Sequence, residues 1–336
     1  MITTTMNASH RINDVIGLGH TLMDFVIQID EDKLLELNLI KGESNLVDHN
    51  QASQLLATLK QHKLQIEKLP GGSVANTLRG IGILGGSAIL CGVVGNDEHG
   101  TWYEEEIKRH HVSPCIKKHS SLTGHALAFI TPDSERTFSV HLGASVHMVP
   151  EDILEEDIVK SKVLHLEAYQ LDSAIEALLH AIRLAKEHGT AVSMDLSDPG
   201  LIRRHRKMLE EILPSLDIVF VNEKEAKEFT GLTEEAAALE LGKKVGITIV
   251  KLGEKGSLIA HDGNIITIPV FPANVIDTNG AGDTFAAGFL YGYCHEWNLE
   301  RAGKLGSLFA AKVVGEKGVR LSHFNGEELK REAEKV

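Results

Sequence analysis

The stretch 277-DTNGAGDTFAAG-288 packs three glycines and two aspartates into the opening of an apolar run that continues to Cys294. A helix is expected to begin near Ala281, so the amides of Gly280, Ala281 and Gly282 point outward with the positive end of the helix dipole behind them. Covered by nothing larger than a methyl group, these amides make a candidate anion hole. Asp283 falls in the first turn, where the same dipole stabilises a carboxylate, and it therefore reads as a helix-stabilising residue. It reads equally as a base: beside an anion hole, a carboxylate accepts the proton of a hydroxyl that attacks a phosphoryl group held in the hole.

The chain around this stretch has the rhythm of an α/β protein. "KVLHLEA" from Lys162 reads as a strand, and "DSAIEALLHAIRLAKEHG" as a helix capped by Asp172, striped by Ile175, Leu178, Leu179 and Ile182, and ended by Gly189. The unit repeats. "TAVSMDL" (190–196), "DIVFVN" (217–222) and "ITIVKLG" (247–253) are short apolar strands separated by helical segments, the signature of a mostly parallel sheet covered by helices on both faces. The first half departs from this. In 124-GHALAFITPDSERTFSVHLG-143, Phe138, Val140 and Leu142 alternate with polar neighbours, as in a half-buried antiparallel hairpin, and "DFVIQID" (24–30) adds another strand. These pieces are too few to bury a core alone. The expected fold class is therefore α/β, a doubly wound, mostly parallel sheet with a small β lid. Residues 1–336 form one domain, with lid strands at about 21–50 and 120–145 inserted into it. A lid implies closure over a ligand.

Composition narrows the classes of function. Lys+Arg 34 against Asp+Glu 47 gives a formal charge of -13, whose average field repels nucleic acid, so a small anion needs a local positive pocket. The N-terminal "MITTTMNASHRIND" has no apolar core, and no stretch reaches the roughly 18 apolar residues of a membrane span, so a cytoplasmic location is expected. Cys91, Cys115 and Cys294 are far apart in sequence and read as reduced packing residues rather than a disulfide framework or zinc site.

Three further glycine-rich segments need weighing. "GIGILG" (80–85) matches the dinucleotide fingerprint but follows a helical run and precedes a strand, the reverse of the order that brings a pyrophosphate to a helix N-terminus. An NAD-dependent oxidoreductase is weakened accordingly. "PGGSVANT" (70–77) reads as a turn with Ser73 as a possible cap, or as a close-approach surface where Asn76 offers a donor and an acceptor to a polyol. "VKLGEKGS" (250–257) ends a strand with Lys251, Gly253 and Gly256, fit for nucleotide phosphates and equally for a hairpin. Asn222 and Glu225, three apart after a strand, read as a helix start or as oxygen ligands suited to Mg²⁺ held partly through water.

Together these residues resemble a known pattern. "PGGSVANTLRGIGILGG" and "DTNGAGDTFAAGFLYG" look like the two signatures of the ribokinase/PfkB family of sugar and nucleoside kinases, with "NEKEA" and "VKLGEKGS" in the expected order between them. The resemblance runs from about residue 12 to 325. It implies a ribokinase-like doubly wound sheet with a β lid, and ATP and Mg²⁺ as cofactors. By resemblance, Asp283 is the base, and Gly280, Ala281 and Gly282 stabilise the transferring γ-phosphoryl group. Asn222 and Glu225 match a motif that positions Mg²⁺ and phosphate, and Lys251, Gly253 and Gly256 lie by ATP. Asp24, Gly71, Gly72 and Asn76 stand where the family binds sugar hydroxyls. Arg136, on the lid hairpin, is either a residue that reaches the phosphates on closure or an exposed turn arginine. Asp277 stands where some relatives hold K⁺, and locally reads as a turn aspartate.

The acceptor expected is a nucleoside, adenosine first. "GGSVAN" carries Ser73 where ribokinases typically have Lys, and "LIKGESNLVD" and "GVRLS" are similar to the adenosine kinase branch. His20 departs from that branch, which often has Asn there. A free sugar such as ribose or fructose is the alternative acceptor, and a non-catalytic ligand sensor the alternative class. The partner is thus a small-molecule nucleoside or sugar, bound by a monomer or homodimer.

Overall fold

The computed structural model describes residues 11–41, 44–61, 66–132 and 136–335, with the side chains of 44–46 and 136 outside the description. The strands in chain order are β1 (Asn13–Leu18), β2 (Leu22–Gln28), β3 (Ser44–Leu46), β4 (Ile66–Gly71), β5 (Ala88–Gly95), β6 (Val112–His119) and β7 (Gly124–Ile130). They continue as β8 (Arg136–His141), β9 (Ser161–Glu167), β10 (Ala191–Asp195), β11 (Ile218–Asn222), β12 (Ile247–Lys251), β13 (Ser257–His261) and β14 (Asn264–Ile268).

Nine of them form one sheet in the order β14-β13-β12-β11-β10-β9-β1-β5-β6. From β12 to β6 every pairing is parallel, and β13 and β14 add antiparallel strands at one edge. Because each central strand is apolar on both sides, its residues feed two cores. Ile218 and Phe220 of β11 face one, Val219 and Val221 the other. The helices Ser73–Ile83, Ala281–Cys294 and Leu299–Val313 cover the first core, while Ile175–His188 and Pro199–Ile212 cover the second. This is the doubly wound arrangement expected from the strand–helix alternation.

The second sheet runs β3-β8-β7-β2-β4. Its strands alternate with period two, as strand geometry requires. Met23, Phe25 and Ile27 of β2 and Leu127 and Phe129 of β7 are buried in the first core, whereas Leu22, Asp24 and Val26, with Ala126, Ala128 and Ile130, line a cavity. The hairpin of β7 and β8 is antiparallel, with Ile130 opposite Arg136. One strand of this sheet, β4, comes from Ile66–Gly71, outside the two segments assigned to the lid from sequence. Its "IEKLPG" lacks the alternation that betrayed the others.

Two local readings change. Asp172 does not cap the helix Ile175–His188, whose N-cap is Ala174; its carboxylate binds Arg204 and His205 instead. Leu179, assigned to the apolar stripe, is one of the exposed large hydrophobics, because the buried stripe is carried by Leu178, Ala181, Ile182 and Ala185. "GIGILG" does end a helix: Gly82 lets the His110 carbonyl come so close that a Cβ would sit 2.0 Å from it.

Candidate active site

In the parallel part of the sheet, the chain moves outward from β1 to β5 and β6, then resumes on the other side at β9 and proceeds to β12. β1 and β9 therefore flank the point where strand order reverses, and the crevice beyond the carboxyl ends of such strands is where ligands bind in open α/β sheets. A cavity of about 620 Å³ lies there, walled on one side by the second sheet and on the other by the start of the helix Ala281–Cys294.

That helix starts as the sequence suggests. Gly280 is its N-cap in the left-handed region, φ 75°, with no side-chain cap, and a Cβ there would come within 2.4 Å of Val319. Only glycine satisfies both demands. At Gly282 a Cβ would stand 3.0 Å from Lys251 Nζ, so a side chain would fill the cradle over which the lysine lies. Asp283, one turn in, accepts hydrogen bonds from Ser73 Oγ at 2.7 Å and Asn76 Nδ2 at 2.9 Å, while Thr77 Oγ1 donates to its backbone carbonyl. Burial pushes its pKa up to about 6, against the pull of Ser73 and Asn76.

Asn76 is itself held. Its Oδ1 accepts from Arg79 Nη1 at 3.0 Å, and the same guanidinium donates to the carbonyls of Pro70 and Val319. Arg79 is 1% exposed, an unusual place for an arginine, and it lies between the β4 end, Asn76 and the loop after Gly318. Burial brings its own pKa down to about 10. Asp24 projects from β2 into the cavity. Gly71, opposite Leu22 on β4, makes room for it: a Cβ at 71 would lie 2.3 Å from Asp24 Oδ1. Burial raises the Asp24 pKa to about 7, with Arg79 opposing and Asp283 reinforcing the rise.

Another part of the cavity wall is built from strand ends. Lys251 Nζ, at the end of β12, donates to Asp195 Oδ2 at 2.7 Å from the end of β10. Burial works against the lysine's charge, but Asp195 and Glu225 hold its pKa above the ordinary value. Asn222 and Glu225 form a reciprocal capping box: Asn222 Oδ1 accepts from Glu225 N at 2.9 Å and Glu225 Oε2 from Asn222 N at 2.8 Å. Glu225 is pushed up to about 7 by burial and then by Asp195. A divalent cation beside these two carboxylates would reverse that cost, so the donor set fits Mg²⁺, which keeps much of its water and binds through one or two carboxylates plus substrate phosphates. Among the described residues, no group of three His, Cys, Asp or Glu side chains converges as a protein-only metal cage.

Of the residues singled out from sequence, Asp24, Gly72, Asn76, Asn222, Glu225, Lys251, Gly280, Gly282 and Asp283 line this one cavity. Gly71 stands behind Asp24. Gly253 and Gly256, with φ of 59° and 85°, shape the turn of the β12–β13 hairpin rather than the cavity wall. Arg136 begins β8, and its side chain lies outside the described residues. Asp277 lines the cavity and braces the turn, accepting from Asn279 N and Gly318 N. Ser73 is the first residue of its helix and not the cap, which is Gly72; its hydroxyl goes to Asp283. His20 bonds Glu167 and Ser173, at 2.9 Å each, and is absent from the cavity wall.

Sequence reading missed Arg79, Asp195, Tyr169 and Lys317. Arg79 and Asp195 sit inside ordinary helix and strand patterns, where nothing but the tertiary neighbours marks them. Tyr169 and Lys317 belong to connecting segments whose course over the cavity is not written in periodicity.

An uncapped glycine-flanked helix start, a carboxylate held by two donors and a lysine at neighbouring strand ends define a class: a phosphotransferase with an alcohol group as acceptor. The chain belongs to the pfkB family of carbohydrate kinases, whose model matches residues 36–324. It is 26% identical over 325 residues to an adenosine kinase of Saccharomyces cerevisiae, covering 90% of this chain and 95% of that one. A probable sugar kinase from Rhizobium etli superposes with a TM-score of 0.86 at 31% identity, over 97% of this chain and 100% of the other. The adenosine kinase of Sinorhizobium meliloti does so with 0.85 at 31% identity, over 96% and 99%. Membership of this family implies ATP and, typically, Mg²⁺.

Proposed function

We propose that the chain transfers the γ-phosphoryl group of ATP to the primary hydroxyl of a nucleoside, adenosine first among them. The observation that carries the acceptor is the character of the wall in which Asp24 sits. Leu22, Val26, Leu69, Ala126, Phe138 and Val140 present an apolar surface from the second sheet, while Asp24, Ser73 and Asn76 gather the polar contacts at one end. A free sugar, with hydroxyls on every side, would leave several of them unpaired against such a wall. A nucleoside divides in the same way as the cavity, with a flat base for the apolar face and a ribose for the polar end.

In this reading Asp283 takes the proton of the acceptor hydroxyl at the oxygen that Ser73 now occupies, and Asn76 keeps the other oxygen in place. The amides at Gly280–Gly282 and the Lys251 ammonium stabilise charge on the transferring group. Asn222, Glu225 and Asp195 would hold Mg²⁺, through water in part; bound there, the ion neutralises phosphate charge. The second sheet acts as the lid, and its apolar face excludes water on closure. Relatives named as sugar kinases favour the second reading, a free sugar with the same chemistry.

Coupled ATP consumption with adenosine, inosine, guanosine, ribose and fructose side by side tests the proposal, with Asp283→Asn as control. Turnover on a nucleoside and not on sugars is the expected result. Turnover on ribose or fructose alone would discard the acceptor and keep the base.

A further inference from the structure

Two of the three cysteines, 24 positions apart in the sequence numbering of β5 and β6, meet in space: Cys91 and Cys115 are register partners on adjacent parallel strands. Register partners in a parallel pair project to the same face, and both side chains pack against the second core. Neighbouring strands lie about 4.8 Å apart, inside the roughly 4.4–6.8 Å Cα separation that disulfides span. Each thiol therefore lies within the other's electrostatic reach.

The two thiols are unequal in the way a reactive pair requires. β6 is the edge strand of the large sheet, as Pro114 within it permits, and Cys115 is partly exposed there, while Cys91 is buried on the strand inside it. The interaction with Cys91 favours the Cys115 thiolate and holds its pKa below the ordinary value, with Lys117 helping and burial, Asp157 and Asp152 opposing. The same interaction, with burial, holds the Cys91 thiol above the ordinary value. Low pKa combined with access is what makes a cysteine reactive. Cys294 has neither: it is buried, and burial pushes its thiol up.

We propose that Cys91 and Cys115 form an oxidisable dithiol, in which Cys115 takes up a low-molecular-weight disulfide and Cys91 resolves it to a Cys91–Cys115 disulfide joining β5 to the edge strand. The Cys115 thiolate attacks one sulfur of the oxidant, forming a mixed disulfide and releasing one thiolate. Cys91 then attacks the Cys115 sulfur, the mixed bond breaks, and the second small thiolate leaves. The two cysteine protons end on the two released thiols, so one disulfide is reduced as one is formed.

The test uses the native full-length chain with oxidised glutathione near neutral pH, followed by peptide mapping. The expected product is a peptide pair linked through Cys91 and Cys115, formed at least about tenfold faster than any modification of Cys294, and reversed by dithiothreitol. Cys91→Ala should instead accumulate glutathione at Cys115, and Cys115→Ala should leave Cys91 unmodified. Persistent glutathione on Cys115 of the unaltered chain, or equal modification of Cys115 and Cys294, would overturn the proposal. Because the unaltered protein gives the primary readout, poor folding of a variant does not remove the test.

Discussion

Ser73 Oγ donates a 2.7 Å hydrogen bond to Asp283 Oδ1, joining the starts of two helices 210 residues apart. Two opposed effects meet at that carboxylate. Burial disfavours its charge, whereas Ser73 and Asn76 donate to the charged form, and the balance leaves it titrating near 6. A base of that pKa is ionised at neutral pH yet still basic enough to accept a proton in a transition state.

Replacing Asp283 with Asn keeps the shape and removes the carboxylate proposed as the base. Turnover should fall by about three orders of magnitude or more, with the acceptor's KM changed much less. Steady-state kinetics at saturating ATP check this; turnover within tenfold of the parent would remove Asp283 from the base role.

The acid limb of kcat/KM should lie near pH 6 to 7, where Asp283 and Asp24 titrate in one another's field. Ser73→Ala deletes a donor to the charged Asp283, so its pKa rises and the limb moves to higher pH, by roughly half a unit to one unit. A limb that stays in place, or moves down, contradicts the assignment.

Asp24 makes a stability prediction of definite sign. Its folded pKa, about 7, lies above the unfolded value, so the folded state binds more protons between pH 4 and 7 and stability declines as pH rises through that window. Asp24→Asn, which resembles the protonated form, should therefore be more stable than the parent at pH 8, by about 1–2 kcal/mol after allowance for solvent in the cavity, with no such gain at pH 4. Thermal melts at the two pH values decide it.

Arg79 holds Asn76 from behind through a fork that also reaches Pro70 and Val319. Lysine keeps the charge and cannot make all three contacts. Arg79→Lys should lower turnover by roughly ten- to a hundredfold and destabilise the fold by about 2 kcal/mol or more, since buried acceptors lose their donors. Kinetics and melts of the same sample separate the two effects.

If a base packs on the apolar wall, Phe138→Ala should raise the KM for adenosine about tenfold, the equivalent of roughly 1.4 kcal/mol. Weak turnover on ribose, where measurable, should not change in parallel. Equal effects on both substrates would argue that Phe138 supports the sheet rather than the base.

Much of this molecule is legible before any coordinates. The strands β9 to β12 and the helices between them follow from apolar runs of strand length alternating with 3.6-residue stripes, and a buried parallel sheet has few other ways to satisfy such runs. The helix start at Gly280–Asp283 is equally local, because its glycines answer to backbone geometry within a few residues. β4 escaped notice because "IEKLPG" pairs with β2 only through tertiary context. Asp172 was a plausible cap until Arg204 and His205, more than thirty residues away, claimed it.

The sequence by itself determined the α/β class, the succession of strands and helices along the chain from β9 to β12, and the glycine-flanked helix start before Asp283, since each depends on periodicity or on backbone freedom within a short window. Only the tertiary structure decided which side chains face one another. It turned Ser73 from a cap into a partner of Asp283, joined Lys251 to Asp195, and brought Cys91 against Cys115. The reason is physical: a hydrogen bond or a shared desolvation acts over a few ångströms of space, and separations of 24 to 210 residues along the chain carry no trace of it until the sheet has closed the distance.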